Sequence, residues 1–224
     1  MNMIPKIVHQ TWKDDNITYW VFQRSQASVR AFLGHWEYKL WTDADLERLM
    51  KADFPQFYEA WSALDRHIKR VDTARYCMLY KYGGIYADLD FVFTRPVDEI
   101  ITGEADMYFY KSTEAVVKKQ HFLGNAFMVS KPLQPFWLDV LKHMFALPSG
   151  LNPLHHTGPR ALGEYYEALT EKPNIFVFDG DYFDNEKCNA GTGRHQYGYH
   201  VRAATWQHPH SHPATARPAQ RHPL

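Results

Sequence analysis

Two aspartates one residue apart, Asp88-Leu89-Asp90, follow a short apolar run, Ile85-Tyr86-Ala87. Residues i and i+2 of an extended chain project to the same side. Two carboxylates so placed repel each other unless a cation lies between them. Hard divalent ions such as Mg²⁺ and Mn²⁺ take carboxylate, water and phosphate oxygens, and a diphosphate would supply the remaining ligands. A metal held there neutralises charge that builds on a departing phosphate. A lone DxD is a weak signal, because most are surface turns. At the end of a predicted buried strand, IYADLDFVF, two charges need a reason. A second chemistry uses the same triplet: aspartyl-phosphate phosphohydrolases place DxD after an apolar strand with the first Asp as nucleophile. Val92 matches that pattern, but the motif then stands close to the N-terminus and lacks the helix that precedes it here.

That helix, expected over Asp65–Tyr82, carries charges on its apolar side. At 100° per residue, Ile68, Val71, Met78, Leu79 and Tyr82 share one stripe, while Arg66, Arg70, Thr73, Cys77 and Lys81 lie away from it. Asp72 and Arg75 fall inside the stripe and three residues apart, so they are neighbours. Stripping water from a charge costs several kcal/mol, so such residues are paired or face a ligand. The pair reads either as a buried ion pair that fixes packing or as one wall of a cleft. In the cleft, Arg75 meets a phosphate or sugar oxygen and Asp72 accepts from a sugar hydroxyl.

The elements that must position these groups alternate. Strands are expected at Lys6–Thr11, Glu37–Trp41, Ile85–Ala87 continuing through Phe91–Phe93, Met107–Tyr110, Asn125–Val129, Asn174–Phe178 and Tyr197–Ala203. Helices are expected at Thr18–Leu33, from a Thr42 or Asp43 cap to about Lys51, at Phe54–Leu64, Pro135–Leu147 and Pro159–Thr170. Gly83-Gly84 closes the Asp65–Tyr82 helix. This alternation predicts an α/β fold with a central, mostly parallel sheet flanked by helices. One domain is expected over residues 1–206. Residues 207–224, rich in Pro, His and Ala, form a tail without apolar periodicity.

The 224 residues suffice for one sizeable core. Lys plus Arg and Asp plus Glu balance at 25 each, which argues against a nucleic-acid partner and leaves a diphosphate to be met by local charges. The chain contains no window of about 18 apolar residues, so no transmembrane segment is expected. Together with the two cysteines, Cys77 and Cys188, read as reduced thiols, this points to a cytoplasmic protein with peripheral membrane contact left open.

Four segments, Ile4–Trp12 (IPKIVHQTW), Arg70–Asp90 (RVDTARYCMLYKYGGIYADLD), Thr157–Leu162 (TGPRAL) and Tyr199–Trp206 (YHVRAATW), resemble the DXD-containing sugar transferases of glycosyltransferase family 32. Clostridial glucosylating toxins look like distant relatives. The resemblance implies a GT-A fold and a retaining, metal-dependent transfer from a nucleoside diphosphate sugar, UDP before GDP, to a glycan or glycolipid acceptor. It places Trp12 near the base, Asp72 and Arg75 at the sugar and ribose, and Tyr86 along the nucleotide pocket. Asp90 becomes the principal ligand of Mn²⁺ or Mg²⁺, Asp88 assists it, His200 completes the site and Trp206 closes over the phosphates. Catalysis falls to Asp88, Asp90 and Arg75. By residue type alone, His200 is more often a satisfied core or surface group. Thr205 stands where many relatives carry Ser, and the compact stretch from Asp106 to Asn152 leaves acceptor choice open. A non-catalytic relative is the alternative.

Lesser candidates complete the reading. Thr157-Gly158-Pro159 looks like a helix cap, or else a helix start whose free amides face substrate. Asn125 is placed to bind donor sugar. Asp179-Gly180-Asp181 reads as a solvated turn. No role attaches to His208, His210 or His212.

Overall fold

The computed structural model describes residues 3–111, 123–183 and 196–203. Trp206, Thr205, Cys188, the tail histidines and the 207–224 tail lie outside them.

The chain order is β1 (Ile7–Thr11), α1 (Trp20–Phe32), β2 (Glu37–Trp41), α2 (Asp43–Asp53), α3 (Pro55–Ser62), α4 (His67–Tyr82), β3 (Gly84–Ala87) and β4 (Phe91–Phe93). Then come β5 (Met107–Tyr110), β6 (Phe127–Ser130), α5 (Pro135–Ala146), α6 (Pro153–His156), α7 (Pro159–Ala168), β7 (Ile175–Phe178), α8 (Gly180–Phe183) and β8 (Gly198–His200). The main sheet runs β2-β1-β3-β6-β5-β7. β1 pairs in parallel with β2 and β3, and β5 with β7; both antiparallel pairings involve β6, the one inverted strand. The α/β architecture with a mostly parallel sheet is therefore as expected.

Alternation along the strands sorts the core into two layers. Ile85, Ala87, Phe127, Val129, Tyr108 and Tyr110 join Val29 of α1 and its C-cap Leu33 on one face. Tyr86, Met128, Met107 and Phe109 join the α2, α4 and α5 residues on the other. The Tyr76 and Trp137 rings stack at 5.5 Å and 12°, fixing α5 on α4. The central turns of α4, Asp72 to Leu79, are consequently covered on all sides: Thr73 and Cys77, expected away from the buried stripe, are both fully buried. A helix between a sheet and other helices has no solvent face for a wheel to find.

Local chemistry sets the boundaries. Thr42, not Asp43, caps α2 in a reciprocal box: Thr42 Oγ1 accepts from the Asp45 amide, and the Asp45 carboxylate accepts from the Thr42 amide. Gly83 (φ 64°) and Gly84 (φ 85°) turn the chain from α4 straight into β3, a conformation that only glycine takes readily. Several expected strands start later, at Ile7, Phe127 and Ile175, and two are cut short. Asp88–Asp90 is a turn, closed by the Phe91 amide on the Asp88 carbonyl at 2.8 Å, so β3 and β4 are separate strands. β4 leaves the main sheet and pairs antiparallel with β8. β8 ends at His200, and Arg202 (φ 58°) takes the chain out of strand geometry. Asp179 is exposed as expected, but Gly180 starts α8. Among the described residues, no helix is long and apolar enough to cross a membrane.

Candidate active site

The carboxyl end of β3 delivers the aspartates. Asp88 donates its amide to the Ala126 carbonyl at 2.8 Å, and its own carbonyl accepts from Gln10 Nε2 at 3.2 Å. Gln10 is fully buried on β1, and it also reaches Ser25 and Tyr38. The Asp88–Asp90 turn is thus anchored to β1 and α1 by a side chain that a strand pattern alone does not single out. Leu89, between the two carboxylates, is buried against Val21 and Phe22, with Trp12 packed on the same cluster. That burial explains the turn: an apolar residue packs on α1 while Asp88 and Asp90 turn toward Arg75 and His200. The carboxylates converge through a turn, not through the alternation of an extended strand.

Their partners come from three parts of the chain. Asp88 Oδ1 accepts from Tyr86 Oη at 2.9 Å and lies 3.1 Å from an Arg75 guanidinium nitrogen. Asp88 Oδ2 faces His200 Nε2 at 3.7 Å. Asp90 Oδ1 lies 3.0 Å from His200 Nε2, and its Oδ2 accepts from the Ala203 amide at 2.7 Å. Burial alone would raise the Asp90 carboxyl, yet His200 and the Ala203 amide hold it below its ordinary value. Burial would lower His200, and Asp90 with Asp88 raise it instead. One ligand atom from each of Asp88, Asp90 and His200 lies within 4.8 Å of the others.

This donor set fits a divalent cation. Two ligands of one ion, each about 2.1 Å away at right angles, stand about 3.0 Å apart, the Asp90–His200 spacing found here. The favourable charge that an imidazolium proton lends the two carboxylates is the charge a metal would supply. Two carboxylate oxygens and one imidazole nitrogen are donors that a divalent cation accepts.

Behind the aspartates stands a second network. Arg75 is almost fully buried and commits its terminal nitrogens to Asp72 (3.2 Å), Asp88 (3.1 Å) and the Asn125 carbonyl (2.8 Å), with its guanidinium 4.5 Å over the Tyr86 ring. The Asp72–Arg75 pair is therefore a buried ion pair that also reaches Asp88. Burial pushes the Asp72 carboxyl up to about 7, against the pull of Arg75 and Thr157. Tyr86 is fully buried beneath Asp88, and its hydroxyl bridges to Thr11 at 3.0 Å. Asn125, two residues before the inverted strand, gives Asp72 an amide hydrogen bond at 3.1 Å. Trp12 stands apart from this network, edge-on to Tyr19 and Phe22.

Thr157 is a correction. It is not the N-cap of α7: Gly158 holds that position, Thr157 closes the C-terminal end of α6 with its amide on the Pro153 carbonyl, and its Oγ1 donates to Asp72 Oδ2 at 2.9 Å. Tyr76 was also missed. It follows Asp72 by one helical turn and donates to the Thr157 carbonyl at 2.7 Å. Its place on the Asp72 face of α4 was the available signal.

Residues 9–107 match the family described as a glycosyltransferase sugar-binding region containing a DXD motif. The chain is 41% identical over 178 residues to inositol phosphoceramide mannosyltransferase 3 of Schizosaccharomyces pombe, covering 76% of this chain and 47% of that protein. It is 34% identical over 143 residues to mannosyl phosphorylinositol ceramide synthase CSH1 of Saccharomyces cerevisiae, covering 63% and 35%. The chain thus spans about half or less of the length of these curated relatives. Its fold is similar to that of PaToxG glycosyltransferase (TM-score 0.59, 14% identity, 75% of this chain and 71% of that one). It is also similar to mouse xyloside xylosyltransferase 1 (TM-score 0.53, 12% identity, 90% and 98%). This family and fold displace the phosphohydrolase alternative. By its matched region, its relatives and its architecture, the chain belongs to the DXD-containing sugar transferases of the family 32 type, on a GT-A fold.

Proposed function

We propose that this chain forms the catalytic region of a metal-dependent transferase that moves a hexosyl group, with retention, from a nucleoside diphosphate sugar to a hydroxyl of a glycan or glycolipid. The observation that carries this reading is the convergence of Asp88, Asp90 and His200 beside the Asp72–Arg75–Asn125 network. Asp88, Asp90 and His200 would hold the cation, which when bound supplies positive charge to the departing diphosphate. The Ala203 amide and Arg75 hold the two carboxylates in place from either side, so no reorganisation is needed at the moment of reaction.

Asp72 and Asn125 supply polar groups for the donor sugar. Arg75 acts through Asp72 and Asp88, because its terminal nitrogens are already engaged. Trp12, in the aromatic cluster against Leu89, offers a ring to the base. Asp72, Asp88 and Asp90 are each engaged by donors, a poor state for a nucleophile. This supports a front-face route, in which the acceptor hydroxyl approaches from the side the leaving group vacates. The names of the relatives point to mannose as the sugar and to a sphingolipid headgroup as one acceptor class. Peripheral contact with a membrane belongs to that acceptor.

Thermal unfolding with UDP- and GDP-sugars, each with and without Mn²⁺, tests this reading, because a ligand that binds only the folded state stabilises it by RT ln(1 + [L]/Kd). A Mn²⁺-dependent shift with one donor, accompanied by transfer or donor hydrolysis, is expected. Binding with neither transfer nor hydrolysis would identify a non-catalytic relative. No shift with any donor would remove the transferase assignment.

A further inference from the structure

The Thr157–Leu162 segment has no place in the chemistry above, yet Thr157 is fully buried and in contact with it. Its hydroxyl donates to Asp72 Oδ2 at 2.9 Å across 85 residues of sequence. Its carbonyl accepts from Tyr76 Oη at 2.7 Å. Asn125 Nδ2 reaches Asp72 Oδ1 at 3.1 Å and Tyr76 Oη at 3.4 Å. Asp72, Thr157, Tyr76 and Asn125 therefore close a ring, with Arg75 bracing Asp72 from outside at 3.2 Å.

A carboxylate offers about four acceptor positions. Arg75 and Asn125 occupy those of Oδ1, and Thr157 takes one of the two on Oδ2. A carboxylate held at one oxygen can still tilt about that contact. Held at both oxygens, it presents its remaining lone pair in one direction. A hydroxyl group of a bound ligand is the partner such a lone pair suits, since a phosphate would bring a second negative charge to it.

We propose that Thr157 is a positioning residue for the sugar of the donor, acting through Asp72, and that it has no part in holding the nucleoside diphosphate. This rests on the transferase reading and refines it: recognition divides between an Asp72–Thr157–Asn125 side for sugar hydroxyls and an Asp88–Asp90–His200 side for metal and diphosphate.

Titration calorimetry in Mn²⁺ with GDP-mannose, GDP, UDP-glucose and UDP separates the two sides. Thr157→Val keeps the volume and removes the donor. It is expected to weaken the sugar nucleotide by about tenfold, the size of one hydrogen bond to a charged group, while the matching sugar-free diphosphate keeps its affinity. Thr157→Ser, which keeps the hydroxyl, restores the sugar nucleotide. If the Val variant does not fold, Thr157→Ala removes the same hydroxyl with the same expectation. Equal loss for both ligands, or loss for neither, overturns the proposal and leaves Thr157 a packing residue. A wild-type protein that binds none of the four probes overturns the transferase reading and this proposal with it.

Discussion

The Ala203 amide donates to Asp90 Oδ2 at 2.7 Å, across 113 residues of sequence. Val201 donates its amide to the Asp90 carbonyl at 3.0 Å in the same stretch. Between them Arg202 sits at φ 58°, a backbone conformation that costs a non-glycine residue about 1 kcal/mol or more. The segment after β8 thus holds Asp90 on one oxygen, leaving the other facing His200.

Asp90→Asn should therefore lower turnover by at least ~10²-fold, the scale of losing one transition-state electrostatic partner. The same variant should lose the Mn²⁺-dependent part of the donor's thermal shift. Steady-state assays with the best donor of the panel check both, and near-normal turnover would take the metal out of the mechanism.

Metal binding should depend on pH through His200. Its imidazole is held above the ordinary 6.5 by Asp90 and Asp88, against the opposing effect of burial. A proton must leave before the nitrogen can ligate. Mn²⁺ affinity is expected to climb with pH by up to about tenfold per unit until that raised value is passed. In His200→Gln the climb should be much shallower. Calorimetric Mn²⁺ titrations at several pH values check this, and an unchanged slope in His200→Gln would place the imidazole outside the coordination sphere.

Arg75 neutralises two carboxylates at once. Removing it as Arg75→Met leaves Asp72, already raised to about 7 by burial, either charged without its cation or forced to take up a proton, and breaking a buried pair costs about 3–5 kcal/mol. Urea denaturation should show a loss of that order. Adding Asp72→Asn should return part of it, because the uncompensated charge is then gone.

His9 gives the fold an acid limit. It is fully buried, with Nε2 against the Gly83 carbonyl at 3.0 Å and Nδ1 accepting from Trp41 Nε1 at 3.0 Å, the pattern of a neutral ring. Burial lowers its pKa from 6.5 to about 4. Because the folded value lies below the unfolded one, this contribution is whole above pH 6.5 and is lost as pH falls through 4. The loss amounts to about 3 kcal/mol. His9→Gln should flatten the stability profile over that window, read from denaturant midpoints at each pH.

Gly84 should tolerate no side chain. Its φ is 85°, and an added Cβ would meet the Ile7 carbonyl oxygen and Cγ2 at 2.5 Å. Gly84→Ala combines backbone strain with a clash between paired strands and should destabilise by about 2 kcal/mol or more. Thermal unfolding reads this directly.

Much of this architecture was written in short-range signals. The β2 and β5 boundaries, the Thr42 cap and the Gly83-Gly84 exit from α4 follow from alternation, capping chemistry and glycine's freedom at positive φ, each contained within a few residues. Asp88, Asp90, Asp72 and Arg75 were visible because charges stand where the pattern demands apolar residues. His200 entered only through its resemblance to a motif. Tertiary packing decided the rest. It inverted β6 and set β4 with β8 in a separate sheet. By burying Leu89, it turned an expected strand into a turn. It also took Thr157 from the start of a helix and gave its hydroxyl to Asp72. The physical reason is distance along the chain. A period or a cap is settled by neighbours within one or two turns. The donor that a buried carboxylate finds 85 or 113 residues away depends on which surfaces the whole core brings together.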